Sequence, residues 1–162
     1  MAARKVPETA AGFGGLRAFD AISSFGLFRK IAKLAPDEEP LVPVVLFREK
    51  SGRVPYLEWV DTLPAEVRLL CRARLFQLSL DGHALRRPVA DYLRNGIHEL
   101  RLHRGRRQYR ILYFFHRREA VVVSHGIQKF GAAVPPTEIE RAIRRMWEFA
   151  ADPAGRTHEE LP

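Results

Sequence analysis

The stretch IHELRLHRGRRQYRILYFFHRREAVVVSH, residues 97–125, decides the fold. It reads as three strands in quick succession, Ile97 to His103, Arg107 to His116 and Glu119 to His125, with connections too short for anything but hairpins. Side chains alternate between faces along a strand, so a trial register is tested by whether it sorts apolar from polar residues. With Arg104 and Gly105 as the central turn residues, His103 pairs with Arg106, Arg101 with Gln108 and Glu99 with Arg110. One face then carries Leu100, Leu102, Tyr109, Ile111, Tyr113 and Phe115, while the other carries Glu99, Arg101, His103, Gln108 and Arg110. If Arg117 and Arg118 form the next turn, Arg110 lies opposite His125. A carboxylate, a guanidinium and an imidazole are then expected side by side across three strands.

Working outward, Val42, Val44, Val45, Leu46 and Phe47 form a β-branched apolar strand that closes in the polar turn Glu49 to Arg53. From Val54 the period becomes helical through Leu57, Val60 and Leu63, and Pro64 opens a second helix. That helix shows two stripes, Val67, Leu70, Cys71 and Leu78, and Leu69, Ala73, Phe76 and Leu80, so it is expected to bury a wide face. The stretch His83 to Gly96 reads as a loop with the turn pair Asn95-Gly96. A last helix follows Pro135-Pro136, with Thr137 as N-cap, Glu140 completing a capping box, and Ile139, Ile143, Met146 and Ala150 facing inward. The expected fold is α+β: a small antiparallel, mixed-edge sheet with a helical hairpin packed on one face and a C-terminal helix, the opposite face open. Residues 1–40 read as an N-terminal extension or linker, 41–151 as the folded domain and 152–162 as a flexible tail. Gly12, Gly14 and Gly15 lack the lysine and hydroxyl of a phosphate-binding loop.

Charge narrows the partner. Between Ala84 and Arg118 there are ten arginines against two acids, so this segment alone carries the net charge of +8 and the rest of the 162 residues balance. Arginine used exclusively suits planar, bidentate recognition of phosphate, which points to a polyanion. Arg86, Arg87, Arg94, Arg104, Arg106 and Arg107 are the expected nucleic-acid-binding residues. No run is long and apolar enough for a membrane span, so a cytoplasmic protein with no membrane partner is expected. The single cysteine, Cys71, fits a reducing compartment and reads as a core thiol. The histidines show no i, i+4 helical pair, and neither a metal site nor a cofactor is expected.

Glu99, Arg110 and His125 match what cleavage of RNA by its own 2′-hydroxyl requires: a base, a cation for the phosphate and an acid for the leaving 5′-oxygen. Arg110 and Arg101 suit the phosphate, and an imidazole such as His125 can serve as acid or base near neutrality. Glu99 reads either as the base or as the group that orients Arg110. The bland alternative is a cross-strand ion pair worth about 0.2–1 kcal/mol. Tyr109 and Tyr113 alternate with Ile111 and read as core before they read as base-stacking rings.

The runs Glu99-Leu100-Arg101, Tyr109-Arg110-Ile111-Leu112-Tyr113-Phe114 and His125-Gly126-Ile127-Gln128-Lys129, followed by Pro135-Pro136 and Glu138-Ile139-Glu140-Arg141-Ala142, resemble the phage-derived HigB branch of the RelE/ParE toxin superfamily. The resemblance covers Leu41 to Phe149. It implies phosphate or scissile-site roles for Arg101, Arg110 and Lys129, ribosome-dependent cleavage of messenger RNA without a metal, and neutralisation by a cognate helix-turn-helix antitoxin. Trp59 and Trp147 then read as core or antitoxin-groove residues. The alternatives are a ParE-like protein that poisons a topoisomerase without nucleolysis, and a relative that binds RNA without turnover. The chain departs from the pattern in having Gln128 before a single Lys129 and no tyrosine after Tyr113.

Overall fold

A computed structural model describes residues 41–161; the expected extension over 1–40, with its glycine cluster, lies outside the described residues. The chain forms β1 (Val44–Phe47), α1 (Pro55–Asp61), α2 (Ala65–Asp81), β2 (Ala90–Arg94), β3 (Ile97–Arg104), β4 (Arg107–His116), β5 (Ala120–Lys129), α3 (Pro136–Ala151), α4 (Pro153–Arg156) and β6 (Thr157–His158). The six strands form one mixed sheet in the order β2-β3-β4-β5-β1-β6. Among the described residues only β1 with β5 is a parallel pair. All four residues of β1 are buried because the strand has neighbours on both edges and helices on both faces, which is why its run is continuously apolar.

One face of the sheet packs Leu100, Leu102, Tyr109, Ile111 and Tyr113 against Tyr56 and Val60 of α1 and Val67, Cys71, Leu75 and Leu78 of α2. The other packs Phe47, Ile97, Leu112, Phe114 and Val122 against Ile139, Ala142 and Phe149 of α3. Helices therefore cover both faces; the expectation of one wholly open face is corrected by α3, which folds back over β5 and β4. The inward stripe of α3 is Ile139, Ala142, Arg145 and Phe149, with Ile143 and Met146 at its margin and Ala150 exposed. Its N-cap is Pro135 with no side-chain cap, so the expected Thr137–Glu140 capping box does not form. Glu140 instead pairs with Arg94.

Three further differences shape the site. The stretch read as a loop contains β2, joined to β3 by Asn95 and Gly96, whose φ angles of 49° and 84° make the left-handed two-residue turn that matches the twist of paired strands. In the β3–β4 hairpin the central turn residues are Gly105 and Arg106, with Gly105 at φ 56°, so Arg101 faces Arg110 and Glu99 faces Leu112. The correction is two residues along the partner strand, which keeps every side chain on its expected face. Finally, α2 buries one stripe only: Val67, Cys71, Leu75 and Leu78 are covered, while Leu69, Phe76 and Leu80 are 62%, 51% and 54% exposed.

The segment after Asp152, expected as a flexible tail, is ordered through β6. Asp152 accepts a hydrogen bond from Gly155 N, and Arg156 is buried with its guanidinium 5.9 Å from the Phe47 ring. Thr157 and His158 then pair with Phe47 and Leu46.

Candidate active site

The centre of the arrangement is Glu99. It points from β3 to the α3 side of the sheet, is 2% exposed, and sits between two guanidiniums. Arg101, two residues along the same strand, donates from Nε to Glu99 Oε1 at 2.7 Å. Arg110, on the neighbouring strand and 7% exposed, is in ion-pair contact with Glu99 Oε2 at 3.0 Å from its Nε. A carboxylate taken fully out of water needs such partners; without them its desolvation would cost several kcal/mol. The two arginines are therefore fixed by a shared counter-charge. Arg110 is held at two further points of contact: Nη1 donates to the Tyr109 carbonyl at 2.9 Å, and Nη2 donates to Gln108 Oε1 at 3.0 Å.

The chain of contacts continues outward in both directions. Arg101 Nη2 donates to Asp91 Oδ2 of β2 at 3.0 Å, and the Arg87 guanidinium lies 2.6 Å from the same oxygen. On the other side Lys129, opposite Gln108 at the end of β5, donates from Nζ to Gln108 Oε1 at 3.4 Å. β5 runs four residues beyond its expected end at His125, and this extension is what carries Lys129 alongside β4.

A cleft of about 510 Å³ opens beside this network, lined by Arg74, Pro88, Val89, Arg101, Leu102, His103, Gly105, Arg106, Gln108 and Arg110. Four of these are arginines and none is an acid, so the cleft concentrates positive potential beside the half-buried Arg101, with the largely buried Arg110 in its wall. Arg74 of α2, His103 and Gln108 are cleft residues that sequence reasoning did not single out as functional. The alternation along β3 and β4 already put His103 and Gln108 on the face of Arg101. Nothing in the sequence brought Arg74 to them.

His125 is not part of this cleft. A shift in pairing between Leu112 and Tyr113 sets His125 opposite Leu112, and α3 closes over it. It is 4% exposed, its Nδ1 is 2.8 Å from Ser124 Oγ and its Nε2 is 2.9 Å from Glu138 Oε2. Burial, then the nearby Arg145 guanidinium, push its pKa down to about 4 against the opposing pull of Glu138. The ring is thus neutral near pH 7, with Nε2–H donating to Glu138 and Nδ1 accepting from Ser124. The expected triplet of Glu99, Arg110 and His125 is replaced by Glu99 with Arg101 and Arg110, and with Gln108 and Lys129 at its edge.

The expected binding arginines divide. Arg94 pairs with Glu140 and Arg104 with Glu66, while Arg87 is on Asp91. Arg106 and Arg107 have no carboxylate partner among the described residues. Arg86 donates to the backbone carbonyls of His83 and Leu85. Among the described residues no group of three metal-ligating side chains is assembled, and no helix is long and apolar enough to cross a membrane. Trp59 packs against Tyr56 and Tyr109 in the core, whereas Trp147 is 68% exposed.

A family model described as phage-derived protein Gp49-like (DUF891) matches residues 58–147, which span α1 to the last turns of α3 and so the whole of this site. A search of curated proteins finds no match.

Proposed function

Because the chain belongs to the Gp49-like phage-derived family, which includes toxins of toxin–antitoxin pairs of the RelE/HigB type, we propose that it is such a toxin and acts as a metal-independent endoribonuclease on messenger RNA at the ribosome. The observation that carries the reading is the pair Arg101 and Arg110, clamped by the buried Glu99 at the wall of a cleft lined by four arginines and no acid. Two guanidiniums so fixed can bind the non-bridging oxygens of one phosphate and stabilise the charge that grows on it, with no reorganisation during reaction.

In the reaction the 2′-oxygen attacks the adjacent phosphorus, the bond from phosphorus to the 5′-oxygen breaks, and a 2′,3′-cyclic phosphate and a 5′-hydroxyl result. Arg101 and Arg110 take the phosphate. His103, the exposed imidazole of the cleft, moves the 2′-hydroxyl proton, and Lys129 supplies one to the departing 5′-oxygen. Glu99 is the positioning group, since both its oxygens are taken by guanidiniums. His125 is structural. The family implies an antitoxin partner, proposed to be a helix-turn-helix protein, and the site of action is proposed to be the cytoplasm.

The test is incubation of the protein with messenger RNA and translating ribosomes in excess chelator, with mapping of new 5′ ends. Cleavage that leaves 5′-hydroxyl ends and falls at least 100-fold in Arg110→Ala is expected. Cleavage indifferent to Arg110→Ala would overturn the assignment. RNA retention without any cleavage would establish binding without turnover. Intact RNA with blocked DNA supercoiling would mark the ParE-like alternative.

A further inference from the structure

On the α2 side of the sheet, beyond the end of that helix, a second cleft of about 820 Å³ lies between the chain after α2 and strands β2, β3 and β4. Its lining combines rings with cations. His83 stacks on Phe115 with ring centroids 3.6 Å apart and planes 21° from parallel. His98 meets Phe115 edge-on at 5.3 Å and Tyr92 edge-on at 5.2 Å, so the rings form a continuous row. Arg86, Arg87 and Arg118 stand around it. Asp91 is the only acid in the lining, and its charge is already taken by Arg87 and Arg101. The proposed cleavage reaction uses none of these rings.

We propose that this cleft is a base-stacking subsite for single-stranded RNA, in which one unpaired base lies on Tyr92 and the His83–Phe115 stack while Arg86 and Arg118 hold the flanking phosphates. The inference rests on the ribonuclease reading for its choice of polyanion and extends it to a second contact. Two observations support it. The volume suits a nucleotide-sized occupant. The 56% exposed ring of Tyr92 and the exposed imidazole of His83 offer flat apolar faces beside uncompensated positive charge, the combination that binds single strands through stacking and phosphate attraction together. A duplex keeps its bases stacked and inaccessible, so only an unpaired strand can fill such a site. Partial desolvation and the nearby Arg118 and Arg86 lower the His83 pKa, and burial beside His83 and Arg86 lowers that of His98, which favours the neutral rings.

The two clefts are adjacent in the chain. Arg86, Arg87, Ala90 and Asp91 line this one, and Pro88 and Val89 line the first. A strand crossing residues 86–91 thus touches both, and the contacts Arg87–Asp91–Arg101–Glu99–Arg110 run beneath it.

The test uses the full chain and a fluorescein-labelled 2′-O-methyl octaribonucleotide, which binds but has no free 2′-hydroxyl to attack with. Anisotropy titrations at several salt concentrations are expected to show Tyr92→Ala binding about 5- to 100-fold more weakly, with an unchanged salt slope. Tyr92→Phe should stay within about twofold of wild type, since stacking needs the ring and not the hydroxyl. Arg118→Ala should weaken binding and reduce the slope of log K against log salt by about 0.7, one phosphate contact on a single strand. Both residues are exposed, and unchanged melting temperatures will confirm intact folding. If Tyr92→Ala and Arg118→Ala bind like wild type, or Tyr92→Phe loses as much as Tyr92→Ala, the subsite is refuted while Arg110-dependent cleavage can still stand. If the variants weaken binding but the wild type cleaves nothing, the subsite holds and the nuclease reading falls. A wild type that does not bind the octamer overturns the subsite directly.

Discussion

Replacing Glu99 by glutamine removes one charge at the point where two guanidiniums converge, and the cost follows from what each arginine has left. Arg101 keeps Asp91 at 3.0 Å. Arg110 keeps only neutral partners, the Tyr109 carbonyl and the Gln108 side chain, while remaining 7% exposed. Breaking a buried ion pair by removing one partner costs about 3–5 kcal/mol, and the glutamine oxygen, still able to accept one hydrogen bond, brings the expectation to about 3 kcal/mol. In urea unfolding followed by tryptophan fluorescence, with a slope of about 1–3 kcal/mol/M, the midpoint should fall by about 1–3 M. The double variant Glu99→Leu, Arg110→Met should regain most of the loss, because a well-packed apolar pair replaces a desolvated ionic one. RNA cleavage should be lost in both, as Arg110 is unclamped in the first and absent in the second. If Glu99→Gln changes stability by less than about 0.5 kcal/mol, or if the losses of the two single variants simply add, the carboxylate is not holding Arg110 and the clamp is refuted.

Three other outcomes follow from the packing and charges. A Cβ on Gly126 would stand 2.0 Å from Trp59 Cε3, so Gly126→Ala should lower the melting temperature by several degrees, at about 1–3 kcal/mol of overpacking, and Trp59→Leu should restore part of it in the double variant. His125, neutral in the fold with its pKa near 4, takes up a proton on unfolding at any pH between there and about 6.5. Stability should therefore rise with pH across that window by up to about 1.4 kcal/mol per unit and level off above it, and urea titrations of His125→Asn between pH 4.5 and 7 should show a flatter profile. Asp91→Asn frees Arg87 and Arg101 at a half-buried position, so it should change stability by about 1 kcal/mol or less and tighten binding of the octaribonucleotide with a steeper salt dependence.

The hairpin β3–β4 was readable because burial and strand periodicity coincide there: Leu100, Leu102, Tyr109, Ile111 and Tyr113 line one core, as their alternation requires. A two-residue error in register left those faces intact, since the period is two, yet it moved Arg110 from Glu99 to Arg101 as direct neighbour. Elsewhere the local signal was weak for physical reasons. β2 has Pro88 before it and the charged Asp91 within it, and its pairing partner lies across a turn, so a window of apolar alternation passes over it. In α2 two apolar stripes compete at helical spacing, but one flat sheet face can cover only one of them, and the helix turns Leu69, Phe76 and Leu80 to solvent.

The candidate site divides along the same line between what strands dictate and what helix docking decides. The segregation of arginine into residues 84–118 needs no register at all: any pairing of β2, β3 and β4 gathers those charges on one end of the sheet. The role of His125 depended instead on which face α3 would cover, and that is set by the apolar row of Phe47, Leu112, Phe114 and Val122 on the far side of the sheet. Once α3 docks on that row, Glu138 in its first turn meets the imidazole, and the ring that period and spacing had put beside Arg110 is sealed under a helix. The same docking leaves His103 and Gln108 exposed at the end of the sheet beside Arg101. The helix that removes one imidazole from the chemistry thus also defines the border of the cleft where the other remains.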